Sequence, residues 1–211
     1  MGLFLLILRI GVYESGMFMT VKKSHVSKGN FFDLFKSWKI FAKYFSIIFI
    51  AVPVWYVMSI YILLSKEMGE AMGMAPDQIP APAKSIMFAY IGITIGDVAS
   101  GLISQLLKSR KKVLLIFYAM CTFFVVLFLS LDGASSAVFY TVCAFLGFSV
   151  GFWAVFVTIA SEQFGTNIRA TVTTSVPNFV RGSLPLILLA YNFCSGLTGS
   201  IITGAALVGI V

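Results

Sequence analysis

Two charged residues of this 211-residue chain lie inside long apolar stretches. Asp97 is the only charged residue of the stretch 85–107, and Arg181 is the only one of the stretch 171–191. At ~1.5 Å per helical residue, each lies about 15 Å from one end of its stretch. A charge near the centre of a bilayer costs at least ~2.5–3.5 kcal/mol, so both side chains should face protein or water. An Asp97–Arg181 ion pair would satisfy both, either as a proton-coupling switch or as a fixed bridge that only orients two helices.

A second set of charges lies at the ends of apolar stretches and comprises Glu14, Arg110, Glu162 and Arg169. The charge pattern of the connecting segments, described below, places all four at the same membrane face. We predict that they form a latch of ion pairs between helix ends. The alternative is that each is separately solvated, since an exposed ion pair contributes only ~0–1 kcal/mol.

Aromatic and amide side chains near the middle of apolar stretches are candidates for binding a polar solute. Trp55 and Tyr56 follow Pro53, which removes a backbone donor from its helix and frees a carbonyl. Trp153 and Asn178 lie at a comparable depth in other stretches. We predict that these four side chains contact substrate, with packing as the alternative role for each aromatic residue.

The composition is that of an integral membrane protein. Hydrophobic residues make up 59% of the chain and charged residues 11%, against a usual ~25% charged, and the mean hydropathy is +0.98. The net charge of +7 does not indicate a nucleic-acid partner, because ten of the fifteen Lys and Arg lie in the connections 22–43 and 108–112. The three cysteines and the single histidine form neither a zinc motif nor a disulfide framework. We expect the lipid bilayer as a partner, and no cofactor.

The apolar stretches predict an all-α membrane fold with six to seven transmembrane helices. We divide the chain into a partial transmembrane helix at 1–20, a cytoplasmic loop with an amphipathic segment at 21–43, and a six-helix unit at 44–211 whose last helix is truncated. The amphipathic segment is either an interfacial helix or the frayed start of the next span. The six spans are predicted at 44–64, 85–107, 113–130, 137–160, 171–191 and 196–211.

The charges of the connecting segments predict the orientation of these helices. The basic connections 21–43 and 108–112 belong in the cytoplasm by the positive-inside rule. The connection 65–84 has two Lys against Glu67, Glu70 and Asp77, and the next one contains only Asp132, so both belong outside. We therefore expect a multi-pass protein of the cell membrane.

Three segments resemble signatures of the major facilitator superfamily. The segment 101–112, GLISQLLKSRKK, is similar to the family's Gly-x-x-x-Asp-Arg-x-Gly-Arg-Arg motif, with Gln105 in place of the aspartate. The segment 162–169, EQFGTNIR, resembles the Glu-x-Phe-Pro-Thr-x-x-Arg segment that ends the tenth helix of sugar-porter-like members. The segment 9–15, RIGVYES, resembles the start of the Glu-Ser-Pro-Arg segment that follows their sixth helix.

This resemblance implies a fold and a function. The chain would be helices six to twelve of such a transporter, built from two inverted three-helix repeats, and its partner would be an N-terminal six-helix half. It would be a symporter-like secondary transporter, not an enzyme, that carries a small polar solute such as an organic acid or a sugar-like metabolite. Transport would be driven by a gradient of protons or of another ion, with a proton as the expected coupling ion, because no phosphate-binding loop for ATP occurs. The alternative is a non-transporting membrane scaffold or sensor derived from a truncated half.

Overall fold

The computed structural model describes residues 29–210, and these residues form helices with no strand. The predicted all-α class is therefore confirmed for this part of the chain. The predicted partial helix at 1–20, with Glu14, lies outside the described residues. The helices are α1 (Trp38–Tyr56, continued by a π-helical segment, Val57–Leu63), α2 (Ser65–Ala71), α3 (Pro82–Leu107), α4 (Arg110–Phe128), α5 (Ser136–Ser149), α6 (Trp153–Glu162), α7 (Arg169–Gly182), α8 (Leu184–Thr198) and α9 (Ile201–Ile210).

Four helical stretches of the described chain are long and apolar enough to cross a membrane. They are Trp38–Leu63, Pro82–Leu107, Arg110–Phe128 and Ser136–Glu162. The shortest has 19 residues, which corresponds to about 28 Å of helix and nearly matches a hydrocarbon core ~30 Å thick. These stretches correspond to the first four spans predicted for the six-helix unit.

The predicted span 171–191 is divided into two helices. That span was expected to run unbroken over 171–191, but α7 ends at Gly182 and α8 begins at Leu184. Pro185 lies in the first turn of α8, where its missing amide hydrogen leaves no helical hydrogen bond unmade, so it favours the start of a new helix over the interior of a continuous one. The final helix, predicted over 196–211, begins only at Ile201. The reason is that α8 continues to Thr198 and is terminated by Gly199, whose φ is +65°.

Two connecting segments also differ from the prediction. The connection 65–84, predicted only as an external loop, begins with the short helix α2, in which Lys66 and Glu70 lie 3.9 Å apart. In the amphipathic segment, a single 3₁₀ turn at Phe31–Phe35 precedes α1, which already begins at Trp38. The second half of that segment is therefore the start of the first span, as one of the two alternatives proposed.

Contacts between the connections group them at two opposite ends of the helices. At one end, the Gly133 amide donates to the Met72 carbonyl at 2.9 Å, and the Gln78 side chain accepts hydrogen bonds from Ser136. At the other end, the Gly29 amide donates to the Asn167 carbonyl at 2.9 Å. The acidic or neutral connections thus share one end and the basic ones share the other. This grouping agrees with the predicted topology, and the assignment of the basic end to the cytoplasm stays a prediction.

Glycines bring α3 and α5 into direct backbone contact. A Cβ atom at Gly147 would overlap the backbone of Ala89 on α3, and one at Gly92 would overlap the backbone of Ala144 on α5. Gly96 and Gly151 approach one another in the same way at the end of α5. Small residues four apart permit such close packing between membrane helices. Gly147 and Gly151, four residues apart, therefore serve to pack α5 and the residues after it against α3.

Candidate functional site

The fourth membrane-crossing stretch, predicted as one helix over 137–160, is broken in its middle. α5 ends at Ser149 and α6 begins at Trp153, and Phe152, which precedes α6, provides no side-chain cap. The missing cap comes from α3, where Oδ1 of Asp97 accepts a hydrogen bond from the Ala154 amide at 3.2 Å. A carboxylate is stabilised at this position by the amide donors and by the positive end of the helix dipole. Asp97 therefore caps α6 from a neighbouring helix.

Arg181 lies against the same turn of α6. Its guanidinium carbon is 5.6 Å from the centroid of the Trp153 ring, which is within the range of a cation–π interaction. Its Nη1 donates to Oδ1 of Asn178 at 3.4 Å, and Nδ2 of Asn178 donates to the Thr174 carbonyl. We call Asp97, Trp153, Asn178 and Arg181 the α6 cluster.

The predicted ion pair between Asp97 and Arg181 is wrong. The ion pairs within the described part of the chain are Asp33 with Lys36, Glu70 with Lys66 and Glu162 with Arg110. Asp97 instead binds a backbone amide, and Arg181 covers the Trp153 ring. The expectation that both charges lie at a similar depth holds, because both reach the first turn of α6.

One face of α7 is polar and uncovered by the rest of the described chain. Ala170, Thr174, Asn178 and Arg181 are all exposed, and their spacing of three or four residues places them on one side of the helix. We call these four residues the α7 face. An arginine and an amide at this depth cannot face acyl chains without a large cost, so this face requires protein or water beside it.

A polar cavity of about 610 Å³ lies between α3 and α6, next to the α6 cluster, and reaches the basic end of the helices. Its lining begins at Ala154, whose amide binds Asp97, and ends at Lys108 and Arg110. Gly101 on α3 and Lys108, which directly follows the last residue of α3, both line it, so it spans about 10 Å along that helix. The remaining lining residues are Ser104, Gln105, Ser109, Val155 and Thr158.

Part of the predicted latch is present at the outer end of this cavity. Arg110 donates from Nε and Nη2 to the two carboxylate oxygens of Glu162, at 2.7 and 2.5 Å. The predicted contact between these residues is therefore confirmed, and its gating role stays a prediction. Arg169 forms no ion pair with Glu162 or with another described residue. Glu14 lies outside the described residues.

We expect the Arg110–Glu162 pair to contribute about 1 kcal/mol to stability. This value is at the upper end for an exposed ion pair, because the two parallel hydrogen bonds fix its geometry. A double-mutant cycle with Arg110→Gln, Glu162→Gln and the double variant, unfolded in mixed detergent micelles, measures this coupling. A coupling energy of zero would mean that the two charges are independently solvated.

Trp55 and Tyr56 lie apart from the other predicted substrate contacts. The Tyr56 hydroxyl bonds the Tyr61 hydroxyl at 2.5 Å and the Ala205 carbonyl at 2.8 Å, so it is committed to packing. Tyr56 lines a separate, largely apolar cleft of about 660 Å³ between α1, α4 and α9. Trp55 packs against the hydrophobic core. The structure thus brings together Trp153 and Asn178, but not Trp55 and Tyr56, in one site.

Sequence reasoning missed the residues that line the polar cavity. Gly101, Ser104, Gln105 and Lys108 recur at helical spacing on α3, a pattern that predicts one small and polar face on an otherwise apolar helix. On α6, Ala154 and Thr158 are four residues apart and form the facing wall. The pattern on α3 was available in the sequence and indicates a water-accessible face.

Comparison with known proteins adds no further identification. No protein-family model, curated protein or solved structure matches this chain significantly. A function must therefore be argued from the α6 cluster, the α7 face and the polar cavity.

Proposed function

We propose that this chain is one half of a secondary active transporter that moves a small polar solute across the membrane, with a proton as the coupling ion. The observation that carries the proposal is the α6 cluster. It places charges of both signs at a helix break inside a membrane-crossing stretch, next to a polar cavity whose lining includes Ala154. A packed membrane scaffold has no need of such a costly arrangement.

The helix break supports a solute pathway. Non-helical backbone at membrane depth is tolerated where it is buried in protein or lines an aqueous cavity. In secondary transporters, discontinuous helices with free helix ends provide the substrate and ion sites near the midplane. The break at 150–152 follows this pattern, since the first turn of α6 meets Asp97 on one side and Arg181 on the other.

The α7 face supports the requirement for a second helical unit. Arg181 and Asn178 are exposed, so in a bilayer they need a covering surface that leaves room for water and solute. A second six-helix unit that faces α7 would enclose the solute between two halves. Rocking of the halves about this site would then give alternating access.

The polar cavity supports a role for the Arg110–Glu162 pair as a gate. The cavity runs from Ala154, which follows Trp153 of the α6 cluster, to Arg110, which binds Glu162 at the basic end. In the closed state the pair ties the start of α4 to the end of α6. Its opening would connect the α6 cluster to the cytoplasm.

Solute uptake by the full-length protein tests this proposal. Cells that lack the gene, complemented with the unchanged gene or with Arg181→Gln, are compared for uptake of radiolabelled organic acids and sugars. We expect the unchanged gene to restore saturable uptake that a protonophore abolishes, and Arg181→Gln to lower it at least tenfold at equal expression. Lys84→Gln, an exposed position at the other end of α3, serves as the control. Uptake that is the same with and without the gene, for every solute, would favour a non-transporting scaffold or sensor.

A further inference from the structure

We infer that the α6 cluster binds a carboxylate-bearing solute, whose carboxylate pairs with Arg181 above the Trp153 ring. This inference rests on the proposed function and narrows its substrate from organic acids and sugars to organic acids. It follows from the charges around Arg181, from the donors that remain free there, and from the lining of the polar cavity.

The charge of Arg181 is uncompensated within the described part of the chain. An arginine stays protonated, and at membrane depth its charge requires an anion or water. None of the ion pairs between described residues includes Arg181, and its one hydrogen bond, to Asn178, is long at 3.4 Å. Most of its five donors are therefore available to a ligand. A planar guanidinium matches a carboxylate with two parallel hydrogen bonds.

Asp97 does not supply this anion. Its carboxylate accepts from the Ala154 amide and lies at the positive end of the α6 dipole, which offsets its charge. Because the Asp97 carboxylate is neutralised by the start of α6, the positive charge of Arg181 is not balanced by it. A neutral sugar bound there would displace water from Arg181 without compensating its charge, which is costly in a site shielded from solvent.

The polar cavity beside the first turn of α6 has a weak preference for anions. Lys108 and Arg110 line it, but Arg110 is paired with Glu162, so Lys108 alone gives its basic end an excess positive charge among the described residues. A positive charge there favours the approach of anions over that of cations. The Trp153 ring, which is half-buried beside Arg181, offers an apolar surface for the carbon skeleton of the solute.

Fluorescence of Trp153 reports on this site directly. With Trp38→Phe and Trp55→Phe, Trp153 is the only tryptophan left in these 211 residues, and any tryptophan of the proposed second half is also replaced by phenylalanine. In lipid nanodiscs this full-length variant is titrated with size-matched pairs of anion and neutral compound, namely gluconate with glucose and succinate with succinamide. We expect at least one carboxylate to change the emission saturably, and its neutral partner to act only at concentrations at least tenfold higher.

Variants at Arg181 distinguish binding from a general effect on the ring. Arg181→Gln is expected to weaken carboxylate binding at least tenfold, and Arg181→Lys less, because a lysine keeps the charge without the planar fork. Lys84→Gln, far from the site, should bind as the unchanged protein does. Equal binding of anion and neutral partner, carboxylate binding that is unaffected by Arg181→Gln, or no response to any carboxylate would overturn the inference.

The outcomes also separate this inference from the proposed function. Arg181-dependent binding of a carboxylate, without any gene-dependent uptake, would retain the anion site and refute transport. Gene-dependent uptake of a sugar without anion binding would retain transport and refute the anion site.

Discussion

Replacing Gly92 by alanine is expected to lower the free energy of unfolding by about 3 kcal/mol, the upper end for overpacking a tightly packed contact. An added Cβ would lie 2.8 Å from the Phe148 nitrogen and 2.9 Å from the Ala144 carbonyl carbon. Both are backbone atoms of α5, so no side-chain rotation relieves the overlap and the two helices must separate. Unfolding in mixed detergent micelles, followed by tryptophan fluorescence, measures the loss.

The matched control is Gly101→Ala in the same helix. A Cβ at Gly101 would meet nothing within 4 Å. Because alanine is favoured over glycine in a helix by ~0.5–1 kcal/mol, this variant should be neutral or more stable than the unchanged protein. If the two variants had the same stability, the close α3–α5 contact would not exist in solution.

The membrane-crossing helices could be predicted because their signal is local. A bilayer demands a minimum length of apolar residues, and the stretch 85–107 meets that demand by itself, so the observed α3 (Pro82–Leu107) differs by only three residues at its start. A close helix contact at Gly147 and Gly151 could also be predicted, since small residues four apart permit close approach of two membrane helices.

The break before α6 could not be predicted, because its cause is in another helix. The residues around 150–152 are as apolar as their neighbours, and hydropathy does not mark where a helix stops. The second segment is capped by Asp97, which lies more than 50 positions earlier in the chain. The wrong prediction for Asp97 has the same cause. Its partner is a backbone amide, and because every residue except proline has one, the sequence does not indicate which amide it binds.

The contact between Arg110 and Glu162 was easier to predict than the solute site. Both residues lie at helix ends that the topology places at one membrane face, and long side chains there have room to meet. For Tyr56, in contrast, the sequence indicated its depth in the membrane but not the direction in which its side chain points. Its hydroxyl is used by Tyr61 and Ala205, a contact that depends on how α9 packs.

Asp97→Asn and Asp97→Ala are expected to separate capping from proton coupling. The asparagine side chain still offers an oxygen to the Ala154 amide, so it should cost at most a few tenths of a kcal/mol of stability, whereas alanine should cost ~1–2 kcal/mol as the loss of a helix cap. If Asp97 carries the coupled proton, the gradient-driven accumulation of solute should be at least tenfold lower in both variants than in the unchanged protein. The measurements are unfolding in micelles and uptake by complemented cells under an imposed proton gradient.

The decisive variant is Asp97→Asn, because it preserves the cap and removes only the charge. We expect it to bind solute and to catalyse exchange of labelled for unlabelled solute, while accumulation against a gradient fails. Arg181→Gln should instead lose binding, so the two charges of the α6 cluster have separable phenotypes. Asp77→Asn, in an exposed connection at the other end of the helices, is the control for expression and insertion. Accumulation by Asp97→Asn equal to that of the unchanged protein would assign Asp97 to capping alone, and the coupled proton would have to bind elsewhere.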